Sequence, residues 1–202
     1  MLRTDELARL YNQGAQRNFR NDGQLMPIIA FHGGPVELIV QLQPGPLHPS
    51  DQLCAIAFGY AGVLPSTHIV TVTESWQKRF NPEDQMEGNG IERGYLENLA
   101  QSGDTTVHTA LLVTVTEVKT GDCQVWSNDV DEGDEPRLLN APSPEGLGVV
   151  GSGSLPERIL DAYREGVEVG APVDGTWQDI TDLFVALGLI SSTMDFANSR
   201  WN

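Results

Sequence analysis

A run of β-branched and apolar residues between Thr105 and Val118 constrains the fold of this chain more than any other feature of its sequence. β-Branched side chains pack well on a pleated surface, so the run predicts a long strand. Turn-forming residues at 119–122 and an apolar stretch at 123–126 follow directly. This spacing is typical of a β-hairpin, and the fold therefore contains a sheet.

The segments that precede this hairpin alternate between helix and strand patterns. Apolar residues at helical spacing, with acids early and basic residues late, predict a first helix that ends at the turn 21–23. Further patterns predict strands over 25–31, 36–40 and 68–73, a helix over 53–63 capped by Ser50-Asp51, a loop over 81–90 and a short helix over 91–100. We therefore expect an α+β domain at residues 1–128, with an antiparallel or mixed sheet of about five strands and helices packed on one face.

The composition changes at Asp129, where acidic residues and then Pro and Gly dominate as far as Gly153. Like charges repel each other and such a stretch can bury little apolar surface, so 129–153 is predicted to be a flexible linker. Beyond it, one helix pattern begins at Ser154 and a second spans 179–187. We expect residues 154–202 to be a helical C-terminal segment.

The charge balance excludes several classes of function. Twelve Lys and Arg residues stand against 28 Asp and Glu residues, a formal net charge of -16. A general nucleic-acid binder needs basic residues to neutralise phosphates, and anionic membrane surfaces repel an acidic protein. No apolar run reaches the ~20 residues of a membrane span, and the start of the sequence lacks the pattern of a signal peptide. Two cysteines, Cys54 and Cys123, do not make a disulfide framework, so we expect a cytoplasmic protein.

One candidate catalytic arrangement follows from strand alternation. His68 and Glu74 share one face if the strand predicted over 68–73 continues as far as Glu74, and His108 lies on the long strand that follows. If the faces meet, Glu74 would pair with His68 or His108, and a histidine–carboxylate pair can orient a general base or a metal ligand. A one-residue slip of the register would separate the faces. The alternative interpretation is a solvated glutamate at a strand end, with histidines at the sheet edge.

Motifs for metals and cofactors are weak. The four histidines form no H-E-x-x-H or H-x-H arrangement, and neither cysteine has a C-x-x-C partner. Residues 146–151 match G-x-G-x-x-G, but no strand pattern precedes them and no helix opens directly after them. We therefore expect no cofactor and no metal, and we interpret 146–151 as part of the linker.

Two short motifs accompany this order of elements, namely Thr73-Glu74-Ser75-Trp76 at a strand end and Thr120-Gly121-Asp122 at the hairpin turn. With these motifs the chain resembles a family of small acidic proteins of high-GC bacteria and their phages that has no assigned activity. The resemblance covers about residues 1–130, although the loop 80–103 departs from the family's Pro- and Arg-containing pattern. The resemblance implies an α+β fold and a phage origin, and it implies no activity, cofactor or catalytic residue.

We therefore expect a non-enzymatic cytosolic interaction protein, encoded by a phage, that acts through its acidic surface and its helical tail. The tail would dock an apolar helix face onto a protein partner or a second copy of the chain. The residues predicted to contact that partner are Trp177, Phe184, Leu187 and Trp201. Two alternatives stay open, namely a small hydrolase or metal-dependent enzyme that uses Glu74 with His68 or His108, and a structural component of a virion.

Overall fold

The computed structural model describes residues 2–45, 47–78, 107–131, 137–138, 143–145, 154–170 and 175–199. This part of the chain combines an antiparallel sheet with α-helices, which confirms the predicted α+β class. In chain order the elements are α1 (Thr4–Asp22), β1 (Ile28–His32), β2 (Leu38–Leu42), α2 (Pro49–Ala61), β3 (His68–Lys78), β4 (Val107–Glu117), β5 (Cys123–Asp131), β6 (Arg137–Leu138), β7 (Ser143–Glu145), α3 (Leu155–Val169), α4 (Trp177–Ala186), β8 (Ile190–Asp195) and a 3₁₀ helix (Phe196–Asn198).

The strands form one antiparallel sheet. Its main strands follow the order β5-β4-β3-β1-β2-β8, and the short strands β6 and β7 each pair with β5. The predicted hairpin is present as β4 and β5, in which Thr114 lies opposite Val125. The main sheet has six strands rather than about five, because β8, from the segment predicted to be helical, adds to β2.

Helices cover both faces of this sheet rather than one. All five residues of β1 are buried, and successive strand residues point to opposite faces. Ile29 and Phe31 pack with the residues of α2, α3 and α4, whereas Ile28 and Ala30 pack with those of α1. The physical reason is that β1 and β2 are apolar at successive positions, and such strands need cover on both sides.

The C-terminal helices belong to the same core as the rest of the protein. Gly166 of α3 lies so close to α2 that an added Cβ would collide with the carbonyl oxygen of Phe58. The Tyr163 hydroxyl donates to the Leu64 carbonyl (2.7 Å) and accepts from the Ser66 N–H (2.8 Å). With β8 in the sheet, the described C-terminal elements share the core and the sheet of the predicted 1–128 domain, and the predicted domain boundary itself stays a prediction.

The predicted linker and loops are only partly described. Asp129 and Asp131 lie in β5, and β6 and β7 lie inside the stretch 129–153 predicted to be a flexible linker. The rest of that stretch, including 146–151, lies outside the described residues, as do the predicted loop 81–90 and helix 91–100. The predicted cap of α2 is displaced slightly, since His48 is the N-cap and accepts a hydrogen bond from the Ser50 N–H (3.3 Å).

Candidate functional site

The structure gives Glu74 a partner other than the histidines predicted to pair with it. His68 and Glu74 are six residues apart on β3, about 20 Å at ~3.3 Å per residue. Glu74 lies opposite Leu111, and His108 lies opposite Gln77. Gln77 is three positions from Glu74, so the backbone register does not bring His108 opposite Glu74.

Glu74 has a structural contact instead. Its Oε1 accepts a hydrogen bond from the Leu25 N–H at 2.7 Å, just before β1. A carboxylate that accepts from a backbone N–H makes a strong, charge-assisted bond. The exposed Glu74 side chain therefore fixes the chain as it enters the sheet.

A different histidine forms the centre of a polar cluster. His32, at the end of β1, is only 2% exposed. Its Nε2 lies 2.8 Å from the Tyr11 hydroxyl of α1. Its Nδ1 lies 3.5 Å from Oε2 of Glu37, too long for a strong hydrogen bond. The other Glu37 oxygen, Oε1, accepts from the Gly33 N–H (3.2 Å).

The turn between β1 and β2 places this carboxylate. Gly33 has φ +80°, a conformation that residues with a Cβ rarely adopt, and an added Cβ would also collide with Thr67. Glycine at this position lets the chain reverse, so that Glu37 returns to the end of β1 four residues later. The side chain of Glu37 stays 36% exposed.

Phe196 covers the cluster from the C-terminal side. Its ring meets the His32 ring edge-on, with centroids 4.6 Å apart, and stacks on Tyr11 at 5.8 Å. Its N–H donates to the Glu37 carbonyl (3.0 Å). The 3₁₀ helix that follows β8 therefore closes over His32, and Phe196 itself is 6% exposed.

His68 completes the cluster as the residue paired with His32 across β1 and β3. Its Nδ1 lies 2.9 Å from Oγ1 of Thr67, and its Nε2 lies 3.2 Å from Oγ1 of Thr4. Burial lowers the pKa of His68, and the opposing Glu117 carboxylate on β4 partly offsets this shift. We call Tyr11, His32, Glu37, His68 and Phe196 the His32 cluster.

Burial also has the largest effect on the pKa values of His32 and Tyr11. It lowers the pKa of His32, while the Glu37 carboxylate acts in the opposite direction. Burial, reinforced by Glu37, raises the pKa of Tyr11 well above its ordinary value. His32 and Tyr11 are therefore neutral at pH 7. A Tyr–His–carboxylate series can move protons, but Tyr11 (0% exposed) and His32 do not reach solvent, so no substrate can contact them in this conformation.

The edge at β8 is the second feature of interest. The opposite edge of the sheet, at β5, is covered by β6 and β7, whereas no strand of the described residues pairs with the outer side of β8. Hydrogen-bonded and non-bonded pairs alternate along an antiparallel ladder. The Phe196 N–H donates to the carbonyl of Glu37, the residue just before β2. Because the pattern alternates, the backbone groups of Met194 and Ser192 also point toward β2. Thr193 and Asp195 point theirs outward.

The residues predicted to contact a partner occupy different environments. Phe184 is 6% exposed and packs against Tyr60, with ring centroids 5.5 Å apart. Trp177 is half-buried against the same core, and Trp201 lies outside the described residues. Leu187 alone of the described three is exposed, at 58%. The core formed with α2 and the sheet therefore already takes up Phe184 and part of Trp177, and docking of this helix onto a partner stays a prediction that the exposed Leu187 alone could serve among the described three.

Across the ranges given above, no group of three or more His, Cys, Asp or Glu side chains is placed to hold a metal ion. Among those residues, too, no helix combines the length and apolar character that crossing a bilayer requires.

Comparison with known proteins finds no matching family model, no matching curated protein and no matching solved structure. The family resemblance inferred from the strand-end and hairpin motifs therefore stays a prediction. The functional interpretation rests on the geometry of the His32 cluster and of the β8 edge.

Proposed function

We propose that this chain is a non-enzymatic protein-interaction module that binds an extended segment of a partner protein along the outer edge of β8. The outward backbone groups of Thr193 and Asp195 support this proposal. A strand edge with unpaired N–H and C=O groups is a template for another strand, and strand addition is a recurring mode of peptide recognition.

The chemistry around the edge favours a basic partner. Residues 175–199 contain three acids, Asp179, Asp182 and Asp195, and no Lys or Arg. Val185 and Leu187, which come just before β8, are 48% and 58% exposed and offer apolar contact. A basic segment would be attracted by the net charge of -16, whereas a second copy of the chain would be repelled.

The edge also carries a feature that limits unspecific pairing. The register between β2 and β8 shifts after Gln41, so that Ser191 is an extra residue, a β-bulge. Bulges at sheet edges discourage edge-to-edge aggregation. The length available to a partner is therefore the regular part of β8, from Ser192 to Asp195.

The alternatives have less support. The hydrolase hypothesis requires Glu74 to meet His68 or His108; His68 lies six residues away on the same strand, and His108 pairs with Gln77 rather than with Glu74. No observation in the described residues favours a structural component of a virion. The cytoplasmic location and the phage origin stay predictions from the sequence.

A library of displayed 12-residue peptides provides a test. We expect selected peptides to be rich in Lys and Arg and to shift the backbone NMR signals of Thr193 and Asp195. Thr193→Pro, which removes one outward donor at a position where edge strands tolerate proline, is expected to weaken binding about tenfold or more. The control Thr193→Val keeps the N–H and is expected to bind as the wild type does.

Two results would contradict the proposal. One is a set of selected peptides that bind the Thr193→Pro and Thr193→Val proteins equally well. The other is a set whose NMR shifts lie away from β8. The circular dichroism of both variants, compared with that of the wild type, verifies that the sheet is intact.

A further inference from the structure

We propose that protonation of His32 releases the 3₁₀ helix Phe196–Asn198, and with it the outer end of β8, so that acid loosens the edge that is rigid at neutral pH. The consequence for partner binding rests on the function proposed above. The release itself is a property of the chain alone, and it can be measured without any partner.

The first reason is the way in which His32 is shielded from water. Two aromatic rings cover it, and they differ in how firmly they are held. Tyr11 lies within the nineteen-residue helix α1. Phe196 lies in a 3₁₀ helix of three residues, and such short elements open at lower cost than packed helices. Water therefore reaches the imidazole most easily by displacement of Phe196.

The second reason is the set of charges and titratable groups that face the imidazole. Tyr11 of α1 contacts Nε2, Glu37 before β2 lies near Nδ1, and His68 of β3 lies opposite on the neighbouring strand. Beyond His68, Glu117 of β4 faces that second histidine. The negative charge of Glu37 favours the charged form of His32, but water screens this partly exposed carboxylate. A charged His68 would disfavour the charged form of His32.

The third reason is the change in hydrogen bonding that the proton causes. In the neutral tautomer that lets the Tyr11 hydroxyl donate to Nε2, the imidazole proton is on Nδ1, the nitrogen that faces Glu37. When a proton from solvent binds to Nε2, this nitrogen becomes a donor, and the Tyr11 oxygen must accept from it while the hydroxyl proton turns elsewhere. A buried imidazolium then lacks the hydration that an open cluster would give it.

The direction of the pH effect follows from these contacts. Burial lowers the pKa of His32 in the closed form, so the open form binds the proton more tightly. The closed form is therefore fully favoured above the ordinary histidine pKa of ~6.5 and loses stability as the pH falls below it. For one proton taken up on opening, the opening equilibrium changes by up to about tenfold per pH unit.

Amide hydrogen exchange of the full chain between pH 7.5 and pH 5.0 tests this inference. After correction for intrinsic exchange, we expect the protection of the Phe196 and Met194 amides to fall by up to about tenfold per pH unit below ~6.5. The Val40 amide, in the buried strand β2, is expected to keep its protection. His32→Gln, which cannot titrate, should remove the pH dependence, and the matched control His68→Gln should retain it.

Three results would overturn the inference. The first is amide protection at Phe196 that does not vary with pH, and the second is a simultaneous loss of amide protection at Phe196 and Val40. The third is an undiminished pH dependence of the Phe196 protection in His32→Gln. If His32→Gln does not fold, the NMR titration of the His32 ring in the wild type replaces it. The protection of the Phe196 amide must then keep falling as the pH is lowered to the value at which the His32 ring titrates. Because no peptide is present, failure here is distinct from failure of strand addition at β8.

Discussion

Replacement of Phe184 by alanine is expected to lower the free energy of unfolding by about 3–5 kcal/mol, the usual cost of removing a buried phenylalanine. The same replacement at Leu187, three residues later, is expected to change it by less than about 0.5 kcal/mol. Phe184 is 6% exposed against Tyr60 and Gly59, whereas Leu187 is 58% exposed. The two residues therefore differ in burial although the sequence places both on one helix face.

Urea denaturation followed by circular dichroism measures both variants under the same conditions. Similar small effects at the two positions would contradict the structure. Such a result would mean that the apolar face of α4 does not pack on α2 and is free to contact a partner, as the sequence pattern predicted.

Truncation of the chain after Gly153 is expected to abolish cooperative folding. The removed part supplies seven buried aliphatic or phenylalanine side chains, each worth about 1.5–3 kcal/mol on burial; they are Ile159, Leu160, Ile180, Phe184, Leu189, Ile190 and Phe196. Their sum, about 10–21 kcal/mol, equals or exceeds the whole stability of a typical domain. Truncation also removes the strand that pairs with β2.

The dispersion of the amide NMR spectrum and a thermal melt measure this effect. We expect a collapsed spectrum and no cooperative transition for residues 1–153. A dispersed spectrum with a sharp melt would show that the N-terminal part is an independent domain, with the C-terminal helices as an appendage.

Much of the fold could be predicted because its strongest patterns are local. The β-branched run from Thr105 to Val118 predicted β4, and the turn residues that follow predicted the hairpin with β5. The last predicted helix, 179–187, differs from the observed Trp177–Ala186 by one or two residues. These elements bury one face each or pair with a neighbour in sequence, so periodicity is enough to find them.

β8 was missed because its sequence lacks a clear alternation. Its six residues contain only two apolar side chains, Ile190 and Met194, and the bulge at Ser191 breaks the period of two. An edge strand is held by backbone pairing with one neighbour, so its side chains need not follow the pattern of a central strand.

The candidate site could not be predicted because it is assembled across elements. Tyr11, His32 and Phe196 come from α1, β1 and the 3₁₀ helix, and only the sheet order brings them together. The one local sign was a histidine at the end of a buried apolar strand, followed by two glycines and then Glu37. For Glu74 the alternation along its own strand was predictable, but the register with β4 was not.

Amide hydrogen exchange along β8 at pH 7 tests the central claim most directly, namely that the C-terminal strand is the open edge of the sheet. We predict alternation, with slow exchange at Ser192 and Met194, which face β2, and fast exchange at Thr193 and Asp195, which face outward. Uniformly slow exchange would mean that another strand covers this edge. Uniformly fast exchange would mean that β8 does not pair with β2, and either result would contradict the account.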